Sequence, residues 1–228
     1  MRRGGLDLTP LASAGVVGVM TAAFALFLLG RDVPSLIRAP GRRLYDQDGL
    51  GWSWGRSVSL LGLIPVVLSV PIACGLLLTD IVVFVPGVQS LLWALFVQIA
   101  IIALPQELFF REATLKVFRA NLPGAFGVSA LAMVLYKLPE GLPAALIAAG
   151  GAFAFMALRV AGMNILLVAV VHGTTAVLFG RVLVAELSGQ ALWLYATCCM
   201  LGHAMFALAV VTVLRARRPI VVEAGTEA

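Results

Sequence analysis

Residues 86–118 read PGVQSLLWALFVQIAIIALPQELFFREATLKVF, an apolar stretch that ends in polar side chains. A helix that spans a membrane needs about 20 mostly apolar residues, and this stretch provides them. Within it, residues 105–112 (PQELFFRE) place an amide, two acids and an arginine together. From Arg111 onwards the pattern becomes amphipathic. We therefore predict a long membrane helix whose last turns emerge at the membrane interface.

The composition of the whole chain supports the same conclusion. Of its 228 residues, 61% are apolar and only 12% are charged, and the mean hydropathy is +1.05. Soluble domains have roughly a quarter charged residues and about half apolar ones. The chain is therefore expected to be an integral protein of the cell membrane, with the lipid bilayer as its partner. The predicted fold is all-α, a polytopic transmembrane helix bundle.

About seven spans are predicted from the apolar segments. They are 11–30, 58–80, 86–118, 124–139, 141–158, 162–181 and 189–214. The segment 144–157 (AALIAAGGAFAFMA) is rich in small residues, which allow helices to pack closely.

The distribution of Lys and Arg predicts the orientation. With the N-terminus outside and the C-terminus cytoplasmic, eleven of the sixteen basic residues fall inside. They are Arg31, Arg38, Arg42, Arg43, Arg56, Lys116, Arg119, Arg159, Arg215, Arg217 and Arg218. The loop 31–57, which also holds Tyr45, Trp52 and Trp54, is expected to lie on the cytoplasmic membrane surface. The net charge of +5 thus reflects membrane topology, and no nucleic-acid partner is indicated.

The three cysteines do not form a recognisable motif. Cys74 is alone in the sequence, and Cys198 and Cys199 are adjacent. All three lie in apolar runs, so we interpret them as small buried hydrophobic residues rather than a disulfide framework or a metal site.

Inside the predicted spans, six ionisable side chains stand out: Glu107, Arg111, Glu112, Lys137, His172 and His203. Each is costly in lipid, so each should face the interior of the bundle or water. With a rise of 1.5 Å per residue, four of them lie about 18–20 Å from the cytoplasmic ends of their helices. These four, Glu107, Lys137, His172 and His203, are predicted to form one polar layer.

The polar layer has more than one interpretation. Pro105 lacks an N–H group and should kink its helix next to Glu107. Glu107 and Arg111 are four residues apart and can pair, either to neutralise each other in the membrane or to act directly in a reaction. His172 is interpreted as functional, with a packing histidine as the alternative, and His203 as structural.

The motifs resemble those of the CAAX prenyl protease and bacteriocin-processing (CPBP) family of intramembrane metalloproteases. That family has Glu-Glu-x-x-x-Arg, Phe-x-x-x-His and His-x-x-x-Asn on successive helices. Here QELFFR places Gln106 at the first Glu, Glu107 at the second and Arg111 at the Arg. MVLYK places Met133 at the Phe and Lys137 at the His, and HGTTA keeps His172 but has Ala176 at the Asn.

The resemblance implies a division of the chain and a reaction. It implies N-terminal helices and the interfacial loop in 1–87, a protease-like core in 88–181, and the last helix and tail in 182–228. The implied reaction is hydrolysis of a peptide bond at the membrane, often beside a lipidated cysteine. The implied site residues are Gln106, Glu107, Arg111, Lys137 and His172, and the implied cofactor is a divalent metal such as zinc, with His172 as a ligand.

The substitutions in the motifs lead to three hypotheses. Gln106 cannot act as a general base, and a protonated Lys137 cannot bind a metal. The first hypothesis is therefore a protein that binds a membrane peptide or lipidated substrate with little or no proteolysis, in which Lys137 pairs with Glu107. The second is an active protease with an altered site that uses Glu107, His172 and Lys137. The third is a small transporter.

Overall fold

The protein is a bundle of six membrane-length helices in the part of the chain that the computed structural model describes. That part comprises residues 59–79, 81–118 and 121–216, together with Val19, Ala23, Phe27, Leu29 and Gly30. The helices are α1 (Leu61–Leu78), α2 (Val88–Val117), α3 (Leu122–Lys137), α4 (Leu142–Ala161), α5 (Ile165–Val182) and α6 (Gly189–Ala216).

Six of the seven predicted spans correspond to these helices, with ends that agree to within a few residues. Each of the six is long and apolar enough to cross a membrane. The remaining candidate, residues 11–30, lies mostly outside the described residues, although Val19, Ala23, Phe27 and Leu29 are helical. The loop 31–57 and the tail after residue 216 also lie outside them. The all-α polytopic fold is confirmed, and the protein is a multi-pass membrane protein.

The turns of α2 around Pro105 are wider than those of a regular α-helix. A short α-helical piece, Leu104–Glu107, separates two π-helical segments, Val97–Ala103 and Leu108–Ala113. Pro105 cannot donate a backbone hydrogen bond, and π-helical turns are one way in which a helix adjusts its hydrogen bonding. Four consecutive residues, 110–113, are buried, so α2 is surrounded by the bundle on all sides here.

A small antiparallel sheet, which was not predicted, closes one end of the bundle. Strand β1 (Ile81–Val83) follows α1, and strand β2 (Leu183–Ala185) follows α5. Val82 pairs with Val184 at the centre of the sheet. Because α1 and α5 have the same direction in an alternating bundle, their ends come to the same side, and the sheet joins them.

Helix α4 lies at the centre of the bundle, and two thirds of its apolar, membrane-spanning stretch is buried. Its small residues permit this, as the composition of 144–157 predicted. A Cβ atom added to Gly150 would lie 2.9 Å from the Cα of Met200 on α6, so the backbones of α4 and α6 are almost in contact. Helix α3 packs on another side of α4, where Met133 of α3 and Ala152 of α4 share one hydrophobic cluster with Phe110 of α2.

Candidate functional site

The candidate site is built around the carboxylate of Glu107 on α2, which is fully buried. Its Oε1 lies 2.7 Å from Nδ1 of His172 on α5. Its Oε2 lies 3.1 Å from Nε of Arg111, one turn further along α2. The pairing of Glu107 with Arg111 follows from their i, i+4 spacing. The contact with His172 brings together two residues that are 65 positions apart in the chain.

The contact with Glu107 determines how His172 is oriented. A carboxylate only accepts hydrogen bonds, so Nδ1 of His172 carries the hydrogen and donates it to Oε1. With the hydrogen on Nδ1, a neutral ring would have its lone pair on Nε2. The His172 side chain is 16% exposed, whereas Glu107 and Arg111 have no exposure. The site therefore opens to its surroundings on the His172 side.

Phe155 on α4 completes the cluster, although no sequence pattern indicated it as a site residue. Its ring stacks on the His172 ring with 4.7 Å between centroids and 25° between planes. The Cζ atom of Arg111 lies 5.7 Å from the centre of the same ring, within range of a cation–π contact. Phe155 lies in the segment 144–157, which is rich in small residues, and no pattern in that segment distinguishes a site residue from a packing residue.

Arg111 is held by charge more than by hydrogen bonds. Its guanidinium is completely buried, and Nη1 and Nη2 have no hydrogen-bond acceptor in the described part of the chain. Nε is close enough to Glu107 for an ion pair, but the N–H does not point at the oxygen well enough to make a hydrogen bond. The predicted pairing of Glu107 with Arg111 along α2 is therefore present in the structure.

The close approach of α2 and α5 depends on Gly173, which follows His172. A Cβ atom added to Gly173 would lie 2.6 Å from Cγ1 and 2.9 Å from the backbone nitrogen of Ile99 on α2. Real Cβ atoms essentially never approach that closely. Any larger residue at this position would push α2 and α5 apart, and the 2.7 Å contact between Glu107 and His172 would lengthen.

A second buried ion pair lies one turn below the first, and it was also missed. Arg159 on α4 donates from Nε to Oε1 of Glu112, and from Nη1 to the backbone oxygen of Met163 at 2.8 Å. Both side chains are completely buried. Arg159 was assigned to the cytoplasmic side of the membrane, but its side chain turns into the bundle. It thereby connects α2, α4 and the start of α5.

Lys137 is not part of this cluster, so the predicted ion pair with Glu107 is wrong. Lys137 is the last residue of α3, and its Nζ lies 2.5 Å from Oε1 of Glu140. Its side chain is 32% exposed. A similar depth does not bring Lys137 to Glu107, because Lys137 is the last residue of α3 and its side chain pairs with Glu140 in the next turn. Gln106, the residue before Glu107, is also buried.

His203 is also separate from the polar cluster, as its structural interpretation implies. Its Nε2 lies 3.0 Å from the backbone oxygen of Val67 on α1, and it is 7% exposed. The four groups predicted to lie at one depth therefore do not form a single cluster of contacts. Among the four, the structure brings together Glu107 and His172 only.

The donor atoms at the site do not fit a catalytic zinc ion. Such a zinc usually has three protein ligands. Glu107 and His172 could supply two ligands, and their side chains are hydrogen-bonded to each other. In the described ranges, no three His, Cys, Asp or Glu side chains are placed to hold a metal.

Comparison with known proteins identifies the class of the central segment. Residues 88–178 match the family model described as type II CAAX prenyl endopeptidase Rce1-like. This segment contains α2, α3, α4 and most of α5, and with them Glu107, Arg111, Phe155 and His172. The resemblance to the CPBP family is thus confirmed for residues 88–178, which are similar to an Rce1-like domain. Comparisons with curated proteins and with solved structures gave no significant match.

Proposed function

We propose that this protein binds a membrane-associated or lipidated peptide at the Glu107–His172 site, with little or no proteolysis. The observation that carries the proposal is the state of Glu107. Its carboxylate is completely buried, and each of its oxygens is held by a side chain, His172 on one and Arg111 on the other. A general base must come within hydrogen-bond distance of the water that it activates, and Glu107 offers no exposed oxygen for this.

Three further features favour binding over hydrolysis. Gln106 stands where the family has a carboxylate that accepts a proton. Lys137 pairs with Glu140 at the end of α3, so it does not supply positive charge to Glu107. The donor set does not fit zinc. The remaining reactive group is Nε2 of His172, which can accept a hydrogen bond from a peptide N–H or a hydroxyl group.

The alternative is an active protease with an altered site, and one contact supports it. A carboxylate that orients a histidine through Nδ1 leaves Nε2 placed to take a proton from water. In this mechanism His172 is the base and Glu107 its orienting partner. The two functions differ in whether the bound peptide is cut.

One experiment separates these functions. The wild type and the triple variant Gln106→Glu, Lys137→His, Ala176→Asn are purified in detergent and incubated with prenylated and plain membrane peptides. Binding by both proteins with cleavage by the rebuilt one alone supports the proposal. Cleavage by the wild type that is lost in His172→Ala supports the protease instead. The exposed neighbour Thr174→Ala serves as the matched control on α5.

Two other outcomes would refute peptide binding. One is a failure of the wild type to bind any membrane peptide under conditions in which the rebuilt protein binds. The other is ion transport into vesicles that disappears in His172→Ala, which would establish the transporter hypothesis.

A further inference from the structure

We propose that the three cysteines form a redox-responsive site, at which a reversible disulfide from Cys74 ties α1 to α6. All three cysteines of the chain belong to this site, and all are free thiols in the structure. Cys74 is on α1, and Cys198 and Cys199 are on α6. None of them contacts the Glu107 site, so the proposal is independent of the proposed function.

The register of α1 against α6 places these thiols opposite each other. The two helices are antiparallel, and three contacts define how they align. Val67 accepts a hydrogen bond from His203 at 3.0 Å. A Cβ atom added to Gly202 would lie 2.6 Å from Val70. A Cβ atom added to Gly75 would lie 3.9 Å from Tyr195.

The cysteines lie between the last two of these contacts. Cys74 is one turn beyond Val70 on α1, and Cys198 and Cys199 are one turn before Gly202 on α6. The small Gly202 also allows α1 and α6 to approach closely at this point. In keeping with this register, the Cys74 thiol interacts with the thiols of both Cys198 and Cys199.

Only a bridge that includes Cys74 is compatible with the helices. Cα atoms of consecutive residues are about 3.8 Å apart, and disulfides usually join Cα atoms about 4.4–6.8 Å apart. Cys198 and Cys199 are consecutive residues inside a regular helix, so they cannot bridge each other without a change in the backbone. Cys74 therefore pairs with one of the two, and exchange between them keeps the α1–α6 link.

A cavity near Cys74 is large enough to hold a small oxidant, although none of the three cysteines lines it. Its volume is about 150 Å³, and its lining includes Gly75, which follows Cys74, and Tyr195, which interacts with Cys74 and Cys199. Water needs only about 10–15 Å³ of such volume, so the cavity has room for a molecule as small as a peroxide. Cys198 is exposed at its own surface, and Cys74 is half-buried.

The chemistry is a two-electron oxidation by a peroxide. The first thiolate attacks one peroxide oxygen, which forms a sulfenic acid and releases water or an alcohol. The second thiol then attacks the sulfenic sulfur, which forms the S–S bond and releases water. Two thiol protons leave with the products, and a thiol reductant restores both groups.

The test maps the bridge in the intact wild-type protein in detergent. The protein is treated with hydrogen peroxide at alkaline pH, where more thiolate is present, then denatured and alkylated. We expect the number of alkylated thiols to fall from three to one, and mass spectrometry to identify a peptide that links Cys74 to Cys198 or Cys199. Dithiothreitol should restore all three.

Variants provide matched controls, each oxidised in the same way. Cys198→Ser and Cys199→Ser should each retain the bridge to Cys74, whereas Cys74→Ser and the double variant should lack it. The oxidised wild type should also unfold at a higher temperature than the reduced form, by at least a few degrees, because the link constrains the unfolded chain. Three alkylated thiols after treatment, or a bridge only between two molecules, would overturn the proposal.

Discussion

At the scale of single residues, Glu107 has the central position in the site. It connects α2 to α5 through His172, and it compensates the charge of Arg111 in a fully buried environment. A buried charge that loses its partner is strongly destabilising, because the cost of removing it from water is no longer offset. The same carboxylate is therefore a structural requirement as well as a candidate functional group.

Glu107→Ala should lower the free energy of unfolding by about 3–5 kcal/mol, because Arg111 is left buried without a counter-charge. The double variant Glu107→Ala, Arg111→Met should recover most of that loss, because it removes both charges. Thermal unfolding in detergent measures both effects. Equal losses in the single and double variants would show that the pair contributes nothing through charge compensation.

Phe155 is predicted to position His172 rather than to react. Phe155→Leu keeps an apolar side chain but removes the ring that stacks on His172. We expect peptide binding to weaken by about two- to tenfold, since an aromatic pair contributes about 0.5–1.5 kcal/mol beyond burial and about 1.4 kcal/mol is a factor of ten. Titration of a labelled peptide checks this. A control is Phe153→Leu, which changes the partner of Phe126 on α3 and should leave binding unchanged.

At the scale of helices, two features hold α2 in place. Gly173 lets α5 come into backbone contact with α2, and the Glu112–Arg159 pair joins α2 to α4 and to the turn before α5. Asn164 begins α5 by accepting a hydrogen bond from the backbone N–H of Leu166 at 2.7 Å. The positions of Glu107 and His172 thus depend on contacts at some distance along their helices.

Gly173→Val should separate α2 from α5 and destabilise the protein by about 1–3 kcal/mol, which is typical of overpacking. It should also weaken peptide binding, because the Glu107–His172 contact is lost. Gly127→Ala on α3 is the matched control. A Cβ atom there meets no other group within 4 Å, so this change should be neutral or stabilising by about 0.5–1 kcal/mol. Unchanged binding by Gly173→Val would exclude the close approach as a requirement of the site.

Glu112→Ala should destabilise the protein by about 3–5 kcal/mol, because Arg159 then remains charged and buried. Glu112→Leu combined with Arg159→Met should be far less harmful, since apolar residues of similar volume often replace a buried ion pair without loss. Chemical unfolding of both variants measures the difference. If the double variant is as unstable as the single one, the hydrogen bond from Arg159 to Met163 matters more than the ion pair.

At the scale of the whole molecule, the fold and its orientation are separate questions. The six membrane-length helices alternate in direction, so the β1–β2 sheet and the Lys137–Glu140 pair lie at one end, and the turn between α4 and α5 lies at the other. The count of basic residues predicts that the second end is cytoplasmic.

A fluorescent reporter fused to the C-terminus should therefore be fluorescent in cells, and an alkaline phosphatase fused there should be inactive. The physical reason is that basic flanking residues resist translocation. The reverse pattern would place the C-terminus outside and invert the orientation. As a control, moving the phosphatase to the loop between β2 and α6 should make it active.

Whether a feature of this protein could be predicted from the sequence depends on how far apart in the chain the residues that form it lie. The membrane helices were predictable because length and hydropathy are local properties, and the bilayer imposes one scale on all of them. The pairing of Glu107 with Arg111 was predictable because it lies along one helix. The small sheet was not predictable, since its strands are three residues each and lie about 100 positions apart.

The sequence by itself determined the all-α membrane fold, the family that the central segment resembles and the polar residues that had to be buried. The tertiary structure alone decided which of those residues meet. It joined Glu107 to His172, placed Phe155 in contact with both His172 and Arg111, and paired Arg159 with Glu112 and Lys137 with Glu140. The reason is that depth along a helix gives one coordinate of a side chain, whereas a contact also requires rotation about the axis and the distance between helices, which packing sets.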